Sequence, residues 1–350
     1  MLLSVCLNPA IDVTYRLDTP VVPGHSHRVG SVHERAGGKG INVARVAQHL
    51  GLAGTVLAPI GGVTGAGIRA ELDSGRTATG ATSSVQSHLV QIAGTSRRTI
   101  AVVDPHDATL FNEPGPVLSS DEWSLLVASF ETAVEQASLV VLSGSLPPGV
   151  PLDAYAQLTA VANARGRRVV VDAEGEPLQL ALAARPYLVK PNLAELRTIV
   201  DGPLGTRSEI AAAGRELRRR GALNVVVSCG SDGLLAITED GNWSAKSPSV
   251  KGNPTGAGDA LVAALAVGTV RGDPWERRLR DGVAWSAAAV AAPLAGQIDP
   301  AVGAELRSAI LVQRFPDHGE PLTTPADDAS ADRSADRSAA DHLGHHLKEH

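Results

Sequence analysis

From Ser119 onward the chain repeats one unit, a stretch with helical signals followed by a short run of aliphatic residues. Ser119-Ser120-Asp121-Glu122 has capping-box spacing and opens a helix to about Ala137. Leu139–Ser143, Arg168–Asp172, Tyr187–Val189 and Asn224–Ser228 are predicted strands. Leu152–Arg165, Pro177–Ala184, Asn192–Val200 and Ser208–Arg220 are predicted helices between and beside them. Such alternation calls for a parallel sheet wrapped by helices, because a strand that returns parallel to its neighbour needs a crossover. The strand runs are rich in Val and Leu with almost no polar alternation, which suits strands buried on both faces. Aromatic residues make up only 3% of the 350 residues, so the core must be aliphatic.

The first third of the chain reads differently. Leu2–Leu7 is a buried strand closed by Asn8-Pro9, and Thr55–Pro59 is another, with a helix over Ile41–Leu50 between them. Asp12–Leu17 and Arg28–Glu34 form one group of short strands, and Val85–Ile92, Arg97–Val103 and Thr109–Phe111 a second. Neither group has enough residues for its own core. Both are expected to pair into a small sheet, with strands from about 12–35 and 85–111, that covers one end of the main sheet as a lid. After Asn224–Ser228 come strands near Leu234–Thr238 and Asn242–Lys246. Helices near Gly258–Val270, Trp275–Ala292 and Ala301–Leu311 follow. Residues 1–315 are therefore expected to form one domain.

Charge excludes several classes of function. The net charge is −6, and residues 316–350 supply eight acidic against three basic residues, leaving the body near neutral. There is no basic field of the kind nucleic acid requires. Residues 316–350, with five histidines, a repeated Ala-Asp-Arg-Ser and few apolar residues, are expected to be a disordered tail. Cys6 and Cys229 are isolated in predicted strands and match neither a zinc nor a disulfide pattern. Met1–Leu7 lacks the basic flank of a signal peptide, and no apolar stretch is long enough to span a bilayer. A cytoplasmic protein without membrane contact is expected.

Four segments carry chemistry. Gly256-Ala257-Gly258-Asp259 precedes a long apolar helix, so bare backbone N–H groups stand at a helix N-terminus, which is an anion site. A carboxylate beside bound phosphate is repulsive unless it accepts a proton from an attacking hydroxyl; on this segment alone, capping the helix fits Asp259 equally well. Gly37-Gly38-Lys39-Gly40-Ile41-Asn42 lets a ligand approach the backbone. Lys39 is one of only five lysines against 26 arginines, and the segment is not a Walker A loop. In Lys190-Pro191-Asn192-Leu193-Ala194-Glu195, Asn192 and Glu195 share a helix face and could hold Mg²⁺ partly through water; an N-cap with a first-turn acid explains them as well. Leu142-Ser143-Gly144-Ser145-Leu146-Pro147 sets hydroxyls at a strand end, within reach of a sugar or phosphate. Gly65-Ala66-Gly67 fails as a dinucleotide fingerprint because position 70 is Ala, which weakens a nicotinamide dehydrogenase reading.

The order of Asn8-Pro9-Ala10-Ile11-Asp12, Gly37-Gly38-Lys39-Gly40-Ile41-Asn42-Val43-Ala44, Ser143-Gly144-Ser145-Leu146-Pro147, Lys190-Pro191-Asn192 with Glu195, Val227-Ser228-Cys229-Gly230 with Gly233, and Gly256-Ala257-Gly258-Asp259 resembles the ribokinase-like PfkB carbohydrate kinases. The likeness runs from about Leu2 to Leu311. Asn-Pro-Ala-Ile-Asp and Ser-Gly-Ser-Leu-Pro-Pro-Gly point to the phosphosugar branch, which holds the 1-phosphofructokinases, the tagatose-6-phosphate kinases and the minor 6-phosphofructokinases, and Lys39 is similar to the first two, the third more often having glycine there.

The resemblance implies a three-layer α/β/α fold with a mainly parallel sheet and a small β-sheet lid. It implies ATP and Mg²⁺ as cofactors, a ketohexose monophosphate as acceptor, and a homodimer formed through the lid. Asp259 matches the catalytic base, and the amides of Gly256, Ala257 and Gly258 match the anion hole. Asp12, Gly38 and Asn42 match groups that hold the sugar hydroxyls, and Ser143 joins them on the substrate side. Lys39, Arg28 and Arg97 match basic positions near the sugar's existing phosphate, with Arg98 adjacent to Arg97. Lys190, Asn192, Glu195, Ser228, Gly230 and Gly233 match the nucleotide region, Asn192 and Glu195 also the magnesium region. Two departures stand out: Cys229 replaces a usual leucine, and Asp172 is followed by Ala173 rather than Ser or Thr. The expected reaction is phosphorylation of fructose 1-phosphate at O6 to fructose 1,6-bisphosphate, with tagatose 6-phosphate and fructose 6-phosphate as alternative acceptors. A sensor of sugar phosphate or nucleotide without catalysis is the reading from another class.

Overall fold

The computed structural model describes residues 1–75, 85–106, 108–250, 252, 254–292, 294 and 296–315. The expected disordered tail, 316–350, lies outside the described residues. The first part of the chain runs β1 (Leu2–Val5), β2 (Ala10–Arg16), β3 (Ser31–Gly37), α1 (Lys39–His49), β4 (Gly54–Ile60), α2 (Gly62–Ser74), β5 (Gln86–Gln91), β6 (Arg97–Val103) and β7 (Ala108–Asn112). It continues through α3 (Ser120–Ala133), β8 (Leu139–Ser143), α4 (Ala154–Ala164), β9 (Arg168–Asp172), α5 (Gly175–Leu182), β10 (Leu188–Val189), α6 (Leu193–Arg197), α7 (Arg207–Arg219), β11 (Asn224–Ser228), β12 (Leu234–Thr238) and β13 (Gly241–Lys246). The helices α8 (Ala257–Arg271), α9 (Trp275–Ala291) and α10 (Pro300–Ala309) and the strand β14 (Leu311–Arg314) complete it.

The main sheet has ten strands in the order β14-β13-β12-β11-β10-β9-β8-β1-β4-β5. Its strands run parallel from β11 to β5, and β12, β13 and β14 add antiparallel at one edge. Burial of both faces accounts for the aliphatic runs. On β8, Val140 and Leu142 belong to one core while Leu139 and Val141 belong to the other; on β11, Val225 and Val227 face one core and Val226 the opposite one. Helices α3, α4, α5 and α7 cover the first face, and α1, α8 and α9 the second. This is the expected three-layer, ribokinase-like arrangement. Alpha-helix α3 opens with the capping box read from Ser119 and Glu122.

The small sheet has four strands in the order β3-β2-β6-β7. It corrects one expectation. The sequence pattern places Val85–Ile92 in it, but Gln86–Gln91 pairs parallel with β4 and forms the far edge of the main sheet. The chain leaves β4, crosses through α2 and returns as a parallel neighbour, the ordinary outcome for a strand–helix–strand unit. The helix expected to reach Leu311 also stops at Ala309, and Leu311–Arg314 becomes an edge strand on β13. A third core, with Ile11, Val13, Ile41 and Ile68, fastens the small sheet to the body.

Candidate active site

The carboxyl ends of β8, β9 and β11 bring Ser143, Asp172 and Ser228 to one edge of the main sheet, the crevice where open α/β sheets bind ligands. Two helices begin over this edge. Gly256, in the left-handed region at φ 87°, turns the chain into α8, and Gly38, at φ 103°, turns it into α1. A Cβ on Gly38 would stand 2.8 Å from Cys6 Sγ and 3.2 Å from Pro9 Cα, so the backbone packs closely on the segment that follows β1.

Asp259 sits in the first turn of α8, buried at 5% exposure. No side chain caps α8, which removes the capping explanation for Asp259. Instead its Oδ2 accepts a hydrogen bond of 2.9 Å from Asn42 Nδ2 on α1. Burial pushes the Asp259 carboxyl up to about 7; Lys39 pulls it down, Asp172 adds to the rise, and the Asn42 hydrogen bond and Lys190 oppose it. Of the three amides expected as an anion hole, that of Ala257 donates to Pro254 O at 3.1 Å. Its hydrogen is thus spent in the turn, and the cradle rests on Gly256 and Gly258. A Cβ on Gly258 would lie 3.8 Å from Lys190 Nζ, so an ammonium group stands beside that cradle.

Asp172, which sequence reasoning noted only as a departure, is the hub. It is 1% exposed; Lys190 Nζ lies 3.0 Å from Oδ1, Lys39 Nζ 3.8 Å from Oδ2, and Ser143 Oγ donates to Oδ2 at 3.2 Å. Burial pushes its pKa up, but Lys190, Lys39 and the hydrogen bonds outweigh it and hold the carboxyl below its usual value. Lys39 is pushed up, first by Asp172 against the cost of burial, then by Asp259, Glu195 and Glu174. Lys39 thus stands beside the acidic cluster of Asp172 and Asp259. A charged residue closing the run Arg-Val-Val-Val-Asp was the signal that could have found Asp172.

Asn192 and Glu195 form a reciprocal capping box at α6: Asn192 Oδ1 accepts from Glu195 N at 2.8 Å, and Glu195 Oε2 accepts from Asn192 N at 2.9 Å. The capping explanation therefore holds for those atoms, while the Glu195 charge also acts on Lys39. Asn192 also bridges to Ser228, whose N–H donates to Pro191 O at 3.1 Å. Next to it, Cys229 N donates to Gly233 O at 2.8 Å, closing the turn of Gly230 and Gly233. Gly233 is required there: at φ 86°, a Cβ would stand 2.1 Å from Ala245 O. Among the described residues, no group of three or more His, Cys, Asp or Glu could hold a metal by itself.

On the other side of Asn42, the small sheet supplies Asp12 and Arg97. A Cβ on Gly37 would stand 1.9 Å from Asp12 Oδ2, so that carboxylate occupies the space a side chain would take. Burial pushes Asp12 up to about 6 against the pull of Arg35, Arg45 and Arg97. Arg97 donates through Nε to Asn8 O at 3.1 Å and through Nη1 to Glu113 O at 3.2 Å. Asp12 pairs with Thr99 across β2 and β6. Strand alternation therefore puts Arg97 on the face of Asp12 and Arg98 on the opposite one. Arg28, in the exposed loop between β2 and β3, is not among the charges acting on Asp12 or Asp259.

A cradle of helix N-terminal amides beside a buried carboxylate and two lysines, on a three-layer α/β/α scaffold, defines a phosphotransferase of the carbohydrate-kinase type. The model of the pfkB family of carbohydrate kinases matches residues 2–301, and the chain belongs to that family. It is 39% identical over 271 residues to a 1-phosphofructokinase of Xanthomonas campestris pv. campestris, a match covering 75% of this chain and 82% of that protein. It is 35% identical over 297 residues to an ATP-dependent 6-phosphofructokinase isozyme 2 of Mycobacterium tuberculosis, covering 83% of this chain and 84% of the relative. The crystal structure of phosphofructokinase-2 from Escherichia coli in complex with fructose 6-phosphate superposes with a TM-score of 0.78 at 30% identity, over 88% of this chain and 98% of the other.

Proposed function

We propose that the protein phosphorylates a ketohexose monophosphate with ATP, with fructose 1-phosphate as acceptor and fructose 1,6-bisphosphate as product. The observation that carries the reading is Asp259, a buried carboxylate held by Asn42 beside uncapped amides and two lysines. The 39% identity to a 1-phosphofructokinase and the presence of Lys39 favour fructose 1-phosphate. The likeness to an isozyme-2 6-phosphofructokinase supports fructose 6-phosphate as the second reading.

In this mechanism Asp12, Asn42, Ser143 and the backbone at Gly38 hold the sugar hydroxyls, and Arg97 faces the sugar's existing phosphate. Asp259 accepts the proton of the attacking hydroxyl while its oxygen bonds to the γ-phosphorus and the bond to ADP breaks. Lys39, Lys190 and the amides of Gly256 and Gly258 offset the charge that two phosphorylated substrates bring together. Lys190 and the turn at Ser228, Gly230 and Gly233 hold the nucleotide. Asn192 and Glu195 would hold a Mg²⁺ ion, partly through water, as part of the nucleotide complex rather than in a protein cage. When bound, that ion supplies further charge neutralisation on the phosphates.

The small sheet acts as a lid that excludes water, and pairing of two chains through it gives a homodimer; Val32, Leu110 and Phe111 are exposed there. No described helix is long and apolar enough to cross a membrane, and both cysteines are buried and free, which supports a reducing, cytoplasmic setting. The test is a panel of fructose 1-phosphate, fructose 6-phosphate and tagatose 6-phosphate with ATP, scored by kcat/KM. The highest value is expected for fructose 1-phosphate. Ligand-induced stabilisation with no ADP formed from any of them overturns the reading in favour of a sensor.

A further inference from the structure

Beneath Asp12 lies a buried charge cluster that the proposed mechanism does not use. Arg35 is 4% exposed, and none of its three guanidinium nitrogens has a hydrogen-bond partner. An unpartnered buried guanidinium is costly, so something in its surroundings must compensate. Glu71 is already committed: its Oε1 accepts from Arg45 Nη2 at 2.6 Å and its Oε2 from Ala36 N at 2.5 Å. Arg45 also donates to Ala36 O. The counter-charge left for Arg35 is Asp12. The two residues are direct partners across the antiparallel pair β2–β3, so their side chains share one face of the small sheet. Gly37, two positions along β3 on that same face, is bare where the Asp12 carboxylate rests.

We propose that Arg35 is a positioning residue, the cross-strand cation that keeps the Asp12 carboxylate ionised and able to accept hydrogen bonds from the acceptor sugar. The proposal rests on the reading of Asp12 as a sugar-binding group. The charges facing Asp12 come from every packed element: Arg35 on β3, Arg45 on α1, Arg97 on β6 and Glu71 on α2. The Cys6 thiol after β1 also feels Asp12, and His49 on α1 lies under the influence of Arg35 and Arg45. With Asp12 ionised, the two buried arginines Arg35 and Arg45 are balanced by the half-buried Glu71 and Asp12. With Asp12 protonated, one positive charge is uncompensated. Burial drives Asp12 toward protonation near pH 6, and Arg35 is the largest opposing influence. Removing it moves loss of the acceptor form toward neutral pH.

The test compares the wild type with Arg35→Met, which keeps the length of the side chain and removes its charge, and with Arg35→Lys. KM for the acceptor phosphosugar is measured from pH 6 to pH 9. Arg35→Met is expected to raise KM about fivefold at pH 6, the result of a one-unit upward move of Asp12, and to match the wild type at pH 9, where both are ionised. Arg35→Lys is expected to follow the wild type throughout. A rise in KM that is equal at all pH values, or no rise at pH 6, overturns the proposal. A second readout needs no activity: the Asp12 carboxyl is followed by ¹³C NMR in aspartate-labelled protein, assigned by its loss in Asp12→Asn. Its titration is expected to move up by about one pH unit in Arg35→Met. An unmoved titration overturns the role of Arg35 even where the wild type phosphorylates the sugar. A moved titration in a protein that phosphorylates none of the sugars upholds the pairing and rejects the kinase reading instead. If Arg35→Met does not fold, Arg35→Lys decides: an Asp12 titration displaced by a full unit overturns the proposal, and an unchanged one supports it.

Discussion

Asn42 on α1 donates its side-chain N–H to the carboxylate of Asp259 on α8 at 2.9 Å, joining residues 217 positions apart in the chain. The bond engages Oδ2 of Asp259 and leaves Oδ1 outside it, the oxygen that the proposed mechanism offers to the attacking hydroxyl. It also favours the ionised form that a base needs, in a place where burial favours the neutral one. Gly296 closes over the same amide, since a Cβ there would stand 2.4 Å from Asn42 Oδ1.

Asp259→Asn removes the base and keeps the shape. Turnover is expected to fall by roughly 10²–10⁴. The folded-state pKa of Asp259, about 7, lies above the unfolded value of 3.8, so stability is lost as the pH rises from about 3.8 toward 7, and the full cost of the ionised form is present above 7. The variant is therefore expected to melt about 3 °C or more above the wild type at pH 8, with the gap narrowing as the pH falls toward about 4. Near-normal turnover would take Asp259 out of the mechanism.

The pH profile of kcat is expected to rise through about pH 7 and level off above it, as Asp259 ionises. Asn42→Ala deletes the hydrogen bond to the carboxylate and is expected to move this rise to higher pH. A wild-type profile that is flat between pH 6 and 8 would contradict Asp259 as the titrating base.

Lys39→Met tests two places for one cation. Its position 3.8 Å from Asp172, under the influence of Asp259, predicts a fall in kcat of about 10–100-fold with KM for the phosphosugar little changed. The opposite split, a raised KM with kcat intact, would return Lys39 to the sugar's phosphate.

Arg97→Ala is expected to raise KM for the phosphosugar, with a smaller effect on kcat. Arg98→Ala, on the other face of β6, is expected to leave KM near the wild-type value. Equal effects of the two would show that Arg97 acts only by tying Asn8 and Glu113 together.

Gly37→Ala places a methyl where Asp12 Oδ2 now lies, at 1.9 Å. The carboxylate must move, and KM for the acceptor is expected to rise about tenfold or more while the protein stays folded. Unchanged kinetics would mean that Asp12 does not touch the sugar.

Local signals determined most of the architecture and singled out several candidate site residues. Aliphatic runs separated by helix caps required a two-faced parallel sheet, and the order of glycine-rich and polar segments marked Gly38, Asn42, Asp259 and the turn at Ser228 in advance. Only the tertiary structure decided between explanations that one segment allowed equally. It made Asn192 and Glu195 a capping box and left Asp259 without that role, because hydrogen-bond partners depend on what packs opposite each side chain. It moved residues 86–91 from the small sheet to the main one, since strand pairing is settled by the crossover through α2 and not by local composition. The roles of Asp172 and Arg35 became visible only there, because a charge on a strand acquires its meaning from counter-charges distant in sequence, on other elements.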